Sequence, residues 1–485
     1  MIPVPGFEGR RVAVFGLGRS GITAARALQA GGAVPVLWDD GVSGRMQAEA
    51  EGFIVEDLTR ADWSSFAALV LSPGAPLTHP KPHWTVERAH AAGVPVIGDV
   101  ELFARALDAL PVDQRPRVVA ITGTNGKSTT TALIGWVLKS AGLTVHIGGN
   151  IGIGVLALPA PTPDAVYVIE VSSYQLDLTT SFAPDVAILT NISPDHLDRH
   201  GGMEGYVAAK ARLFSNLHSR WIEPDPEVGP EFDSHGSPLA LVGIDDPFGA
   251  EIHQELMARG EGRVMAIAPR KPDPPFVGYA YDVDGVYHGA TGSSEMNLRL
   301  ARSLPGRHNA QNAAFAYAAA RALGVSHDAA VEGLLSFPGL AHRMEAVGRL
   351  GGVRFINDSK GTNADAARQA LASYPSVFWI AGGKAKEGGI DSLRDLFPHV
   401  AKAYLIGEAA DAFSVTLADT PHVVAHTMER AVELAAADAA RAGGEQVVLL
   451  SPACASFDQF PDFEVRGEAF RAAVLALGAK AEPAA

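Results

Sequence analysis

Six consecutive residues, Gly123, Thr124, Asn125, Gly126, Lys127 and Ser128, lie between an apolar stretch at 118–121 and a helix-forming one at 128–141. Backbone N–H groups of such a loop can cradle phosphate, and the following helix N-terminus adds partial positive charge. Lys127 can then neutralise β and γ phosphates while the Ser128 hydroxyl ligates Mg²⁺. The spacing departs from the usual phosphate loop, because Ile121 stands six positions before the lysine where glycine is expected. The competing account is a tight strand-to-helix turn carrying a solvated lysine.

Two acidic strand ends follow. Glu170 closes the stretch 165–169, and ligands of parallel sheets collect beyond the carboxyl ends of strands, so Mg²⁺ ligation is expected of it. After 186–190 comes Asn191-Ile-Ser-Pro-Asp-His196. Ser193 reads as a helix N-cap with Pro194 at the first helical position, which leaves His196 for metal ligation. Lys210 shares one helical face with Tyr206 and Phe214. Burial there favours the neutral amine, which can add CO₂ to become a metal-binding carbamate; a snorkelling lysine is the alternative.

Further strand-end clusters mark two more candidate sites. Gly16, Gly18 and Gly21, with Asp39 about 20 residues on, match a dinucleotide fingerprint; Gly74 would line the same crevice, and pure packing explains the glycines equally well. Near the C-terminus, Asp358, Lys360 and Thr362 follow one strand, Lys384 and Lys386 another, and Ser456 a third. Together they suit a small anionic amino acid.

These residues require parallel strands alternating with helices. Short β-type runs at 11–15, 34–38, 68–71, 94–97, 118–121, 165–169, 186–190, 353–356, 377–381, 403–406 and 446–450, each followed by an Ala/Leu-rich stretch, predict doubly wound α/β folding. A β-rich region is expected over 239–300, a surface loop between Trp221 and Pro238, and a helix from Gly306 to Leu323. The 485 residues accommodate about three domains. A net charge of −15 argues against nucleic acid or an anionic membrane as partner. A single cysteine, Cys454, excludes an internal disulfide and Cys-based zinc sites. With no signal-like start and no apolar run of about 20 residues, a cytoplasmic protein is expected.

Taken together, Thr122–Ser128, 148–152, Glu170–Ser173, Asp195-His196, 306–309, His342-Arg343, 357–360 and 451–460 resemble the Mur ligase family over nearly the whole chain, and no Asp-Asn-Pro-Arg of the diamino-acid-adding relatives is present. The last two motifs resemble the members that add D-glutamate. The resemblance implies a Rossmann-like domain over 1–111 for a UDP-linked substrate, a central P-loop-type ATPase domain over 112–339, and a Rossmann-like amino-acid domain over 340–485. It implies an ATP-dependent ligase joining D-glutamate to UDP-MurNAc-L-Ala through an acyl phosphate, acting as a monomer. By position, Ser128, Glu170, His196 and carbamylated Lys210 would hold magnesium, and Asn309, Asn312, Arg343 and Asp358 would meet ATP. Asn150 and Ser172 would face the muramoyl group, and Ser20, Asp39 and Gly74 the uridine diphosphate. Lys360, Thr362, Lys386, Ser456 and Phe463 would surround D-glutamate. Lys384 stands where the family resemblance leads one to expect Asp, and Asp40-Gly41 where a hydroxyl and an arginine would meet uracil. A dehydrogenase using the first glycine loop and an ATP-gated binding protein are the alternatives.

Overall fold

The structure is a computed structural model that describes residues 1–150, 152–217, 238–260, 263–269, 277–289, 292–301, 303–386 and 388–481. Ile151, Glu387 and residues 221–237 of the expected surface loop lie outside these. The chain adopts the α/β class expected, as three sheets in two compact units: Met1–Leu298 with Ala310–Leu335, and Arg299–Asn309 with Ser336–Ala485.

The first sheet is all parallel. Its strands are Arg11–Phe15 (β1), Val34–Trp38 (β2), Ile54–Val55 (β3), Phe66–Leu71 (β4) and Val96–Ile97 (β5), in the order β3-β2-β1-β4-β5. Helices Arg19–Ala30 (α1), Val42–Ala50 (α2), Trp84–Ala91 (α3) and Asp99–Asp108 (α4) connect and leave it. The order reverses beside β1, so the crevice at its carboxyl end opens over the glycine loop.

The second sheet has nine strands: Arg117–Thr122 (β6), Thr144–Gly149 (β7), Ala165–Glu170 (β8), Val186–Leu189 (β9), Leu239–Gly243 (β10), Arg263–Pro269 (β11), Gly278–Tyr281 (β12), Gly285–His288 (β13) and Ser294–Asn297 (β14). Its order is β14-β13-β12-β11-β10-β9-β6-β8-β7, parallel from β7 to β12 and antiparallel in the last two pairings. Residues 118–121 of β6 are wholly buried, as a continuous apolar run between helical layers requires. The helices are Lys127–Ser140 (α5), Ser173–Leu176 (α6), Leu197–His200 (α7), Met203–Ala211 (α8), Pro247–Arg259 (α9), Arg307–Ala322 (α10) and His327–Leu335 (α11). The expectation of a β-rich 239–300 therefore needs one addition, α9. It is opened by Asp246, whose side chain caps Gly249 N, with Pro247 at the first helical position.

The third sheet runs β19-β18-β17-β20-β16-β15-β21. Its strands are Glu345–Leu350 (β15), Val353–Asn357 (β16), Val377–Gly382 (β17), Val400–Ile406 (β18), His422–His426 (β19), Gln446–Leu450 (β20) and Lys480–Ala481 (β21), with helices Ala364–Ala372 (α12), Ala410–Leu417 (α13), Met428–Ala442 (α14) and Phe463–Ala476 (α15). Cys454 is fully buried just past β20, and burial pushes its thiol up to about 12. Among the described residues, no helix is long and apolar enough to cross a membrane.

The glycine fingerprint divides by cause. Gly16 has φ +86°, and a Cβ there would lie 2.4 Å from Ser72 Cβ. A Cβ on Gly21 would lie 1.9 Å from the Gly16 carbonyl oxygen, so α1 could not seat against the loop. A Cβ on Gly18 would meet nothing within 4 Å. Gly21→Ala should therefore destabilise the protein by about 1–3 kcal/mol, whereas Gly18→Ala should leave the denaturation midpoint unchanged. Urea unfolding of the two variants checks this.

Candidate active site

Everything at the carboxyl end of β6 depends on how the loop 123–126 is pinned. Gly123 takes φ +143° because a Cβ would fall 2.0 Å from Thr190 Oγ1, and Gly126, at φ +83°, caps α5 with room only for a hydrogen beside Asn312 Oδ1. The segment after β9 holds the loop from the other side. Thr124 N donates to Asn191 O (2.8 Å), Asn125 N to Asn191 Oδ1 (2.9 Å), and Thr190 Oγ1 to Asn125 O (2.6 Å). This narrows the expected anion nest: the Thr124 and Asn125 amides are spent inside the protein, and the expectation moves to the helix start at 126–128. Ser128 lies buried in the first turn of α5, and the Thr130 hydroxyl donates to Asn312 Oδ1 (3.1 Å).

Lys127 is not a solvated side chain. Its Nζ curls back to donate to Gly123 O (2.9 Å) and Thr124 O (2.8 Å). Lys210 on α8 reaches the same Gly123 oxygen at 2.7 Å, with its Nζ 4.5 Å from the centre of the Tyr206 ring. It is 1% exposed, so the snorkelling alternative is excluded. Burial, and next the Lys127 charge, hold the Lys210 amine well below the ordinary lysine range, against the opposing pull of Asp195 and Glu170. Two unit charges about 5 Å apart repel by about 3 kcal/mol at an effective dielectric of about 20, so a neutral Lys210 is the economical state. Tyr206 links the pair to the loop through Thr124 Oγ1 at 3.0 Å.

Glu170 ends β8 at 2% exposure. Its Oε1 accepts from Asn150 Nδ2 (2.8 Å), while its Oε2 is buried with no hydrogen-bond partner among the described residues. Two residues on, Ser172 caps α6 in a reciprocal capping box with Gln175. The expectation for Ser193 is corrected: the helix starts at Leu197, with His196 as its N-cap at φ 54°. Ser193 is drawn away because its N–H and carbonyl both pair with Thr124 Oγ1 (3.0 and 3.1 Å). His196 is left in a conformation uncommon outside glycine, of the kind that collects at functional sites, with its ring 5.0 Å from Tyr174.

At the first sheet, Asp39 organises the glycine loop, accepting from Leu17 N (2.6 Å) and Gly41 N (2.7 Å). The sequence gives no warning of Arg45, one turn past Gly41, which lies 4.5 Å over Trp38 and donates to Asp40 O (3.2 Å). The Gly74 carbonyl accepts from Arg199 (3.0 Å). Ser20, Asp39, Gly74, Asn150, Ser172, Asn312 and the phosphate-loop residues thus fall in one compact unit with Glu170, His196 and Lys210.

Asn309, Arg343, Asp358, Lys360, Thr362, Lys386, Ser456 and Phe463 fall in the other. There Lys360 Nζ sits 3.8 Å from the Phe463 ring centre, and Ser359 Oγ donates to Phe463 O (2.8 Å). Arg466, not among the expected site residues, is buried and donates to Ser359 Oγ (3.0 Å), Ser359 O (2.8 Å) and Cys454 O (3.0 Å), tying the loops after β16 and β20 together. Lys384 pairs through its backbone with Ala455 (2.9 and 3.0 Å), and Lys386 is exposed. Asn309 donates to Pro305 O (2.9 Å).

Residues 121–320 match the Mur ligase middle domain and residues 342–454 the Mur ligase glutamate ligase domain. A protein of Caulobacter vibrioides, UDP-N-acetylmuramoylalanine–D-glutamate ligase, is 60% identical over 99% of this chain and 98% of its own length. The chain belongs to the Mur ligase family. The protein of the same name from Mesorhizobium japonicum is 52% identical over 98% of both chains. Among solved Mur ligase folds, UDP-N-acetylmuramate-alanine ligase from Thermotoga maritima superposes with TM-score 0.58 at 16% identity, covering 96% of this chain and 99% of that one.

Within this Mur ligase, the buried Asp358 carboxyl titrates far above the ordinary aspartate range. Burial raises its carboxyl to about 7, against hydrogen bonding from Ser451 Oγ (2.7 Å) and the Arg343 charge. The folded state binds this proton more tightly than the unfolded one. Its stabilising contribution is therefore full below about 4 and is lost as pH rises through about 7. Asp358→Asn should flatten the decline in stability between pH 5 and pH 8, as calorimetry at stepped pH would register.

Proposed function

We propose that this chain is an ATP-dependent ligase that joins D-glutamate to UDP-MurNAc-L-Ala through an acyl phosphate. The observation that carries the reading is the convergence of Lys127, Lys210 and the orphaned Glu170 oxygen around the start of α5. The names borne by relatives 50–60% identical over nearly full length support the substrate pair. We assign the UDP-linked substrate to residues 1–111, ATP to 112–339 and the amino acid to 340–485, and expect a monomer in the cytoplasm.

A buried carboxylate oxygen without a hydrogen-bond donor and a hydroxyl at a helix start are hard-oxygen donors that fit Mg²⁺. Ser128, Glu170, His196 and carbamylated Lys210 would hold it. Bound there, magnesium would neutralise charge on the triphosphate. Carbamylation suits the site physically: a neutral buried amine adds CO₂, releases one proton, and becomes an anion beside the Lys127 cation.

In the reaction, a substrate carboxylate oxygen attacks the γ-phosphorus and ADP leaves. The D-glutamate nitrogen then attacks the acyl carbon, loses its proton, and phosphate departs as the amide forms. Lys127, drawn from its two loop carbonyls to the phosphates, would supply charge that grows in value as charge develops on the transferring group. Asn150 and Ser172 would orient the muramoyl end, with Ser20, Asp39 and Gly74 at the diphosphate. Asn309, Asn312, Arg343 and Asp358 would meet ATP, and Lys360, Thr362, Lys386, Ser456 and Phe463 the D-glutamate.

Phosphate release should require ATP, UDP-MurNAc-L-Ala and D-glutamate together, and Lys127→Ala should lower it by at least about 100-fold. Release without D-glutamate, or full turnover by the variant, would overturn the assignment. Intact mass under gentle, bicarbonate-containing conditions should show one CO₂ adduct that Lys210→Ala lacks.

A further inference from the structure

Asp99, the first residue of α4, is a carboxylate only 4% exposed, and its hydrogen-bond partners are neutral. Val100 N donates to Oδ1 (2.9 Å), and Gln175 Nε2 lies 3.2 Å from both Oδ1 and Oδ2. The Ser20 hydroxyl lies close enough to the same carboxylate to favour its charged form. Gln175 continues the chain: its Oε1 accepts from Ser172 N (3.1 Å) and Ser172 Oγ (3.0 Å), and its own N–H donates to Ser172 Oγ (3.3 Å). A continuous path thus runs Ser20–Asp99–Gln175–Ser172.

A carboxylate buried among neutral donors is costly to keep, and mere attachment of α4 is already supplied next to it. Glu101, fully buried, accepts from Thr180 N (2.8 Å), Ser181 N (2.9 Å) and both of their hydroxyls. Gly98 N donates to Leu178 O (3.1 Å), with space beside Leu178 Cβ too small for a side chain. Glu101 and Gly98 bolt the first sheet to the second without touching either serine. Asp99 and Gln175 touch both.

We infer that Asp99 and Gln175 are positioning residues that fix the spacing between the two serines at opposite ends of the sugar-nucleotide substrate: Ser20 at the diphosphate and Ser172 at the muramoyl end. The inference rests on the substrate reading above. The pair acts as a ruler, so that a diphosphate anchored by Ser20 delivers the distal carboxylate to one place relative to Glu170 and the phosphate loop. It also fixes polarity, because the Ser172 hydroxyl donates to Gln175 Oε1 and accepts from the Gln175 backbone N–H.

Calorimetric titration of the full chain with UDP and, separately, with UDP-MurNAc-L-Ala tests this. UDP reaches only the Ser20 end. Gln175→Leu should weaken UDP-MurNAc-L-Ala by about tenfold or more while leaving UDP within about twofold, since a lost buried hydrogen bond of about 1–3 kcal/mol is felt at one end only. Asp99→Asn should weaken both ligands. Glu101→Gln should lower the melting temperature while leaving the ratio of the two affinities unchanged, as a purely structural contact would. Should Gln175→Leu fail to fold, Ser172→Ala removes the far end of the same path, and the same split is expected. Equal weakening of both ligands by Gln175→Leu, no weakening of either, or the same split from Glu101→Gln would each overturn the ruler. Wild type that binds both ligands but releases no phosphate with D-glutamate would sink the ligase reading alone, with the affinity split still readable.

Discussion

The carbonyl oxygen of Gly123 accepts from two lysines at once, and that oxygen is held still only because the segment after β9 grips the two residues beyond it. A backbone carbonyl can satisfy two donors with its two lone pairs. Two cations, however, cannot share it in a buried pocket without penalty. Asp195 and Glu170 offset part of that penalty, and the rest appears as the lowered proton affinity of the Lys210 amine.

That imbalance is tolerated because the surroundings are over-determined. Thr190, Asn191, Ser193 and Tyr206 each bond the loop, and Asn312 closes it from α10. A free lysine or carboxylate on a mobile loop would relax to pair with its nearest opposite charge. Here the backbone cannot follow.

Features set by neighbours in sequence were the readable ones. The strand-loop-helix at Gly123–Ser128 and the inward face of Lys210 follow from local order and the 3.6-residue period, and both stand in the structure at the expected places. Strand positions held because apolar runs closed by small residues admit few alternatives, although ends moved by one to three residues. Helix α9 was missed although Asp246-Pro247 is a local start signal. The Ser193 cap failed because a tertiary contact with Thr124 outbid a local signal. Asp99 and Arg45 carried no signal, since a charged residue on a helix usually means solvent, whereas Ser172-x-x-Gln175 has capping-box spacing that was not read. Arg466 shares an i, i+4, i+8 face with Phe470 and Val474, the pattern that marked Lys210, and that signal was not read.

The solitary thiol of Cys454 has a practical meaning. Buried beyond β20 under a carbonyl that Arg466 grips, with its proton retained to about 12, it is mute toward alkylating reagents while the second unit stays closed. Because the chain has no other sulfhydryl, any labelling reads the opening of that unit alone. The protein carries its own background-free clock for local unfolding.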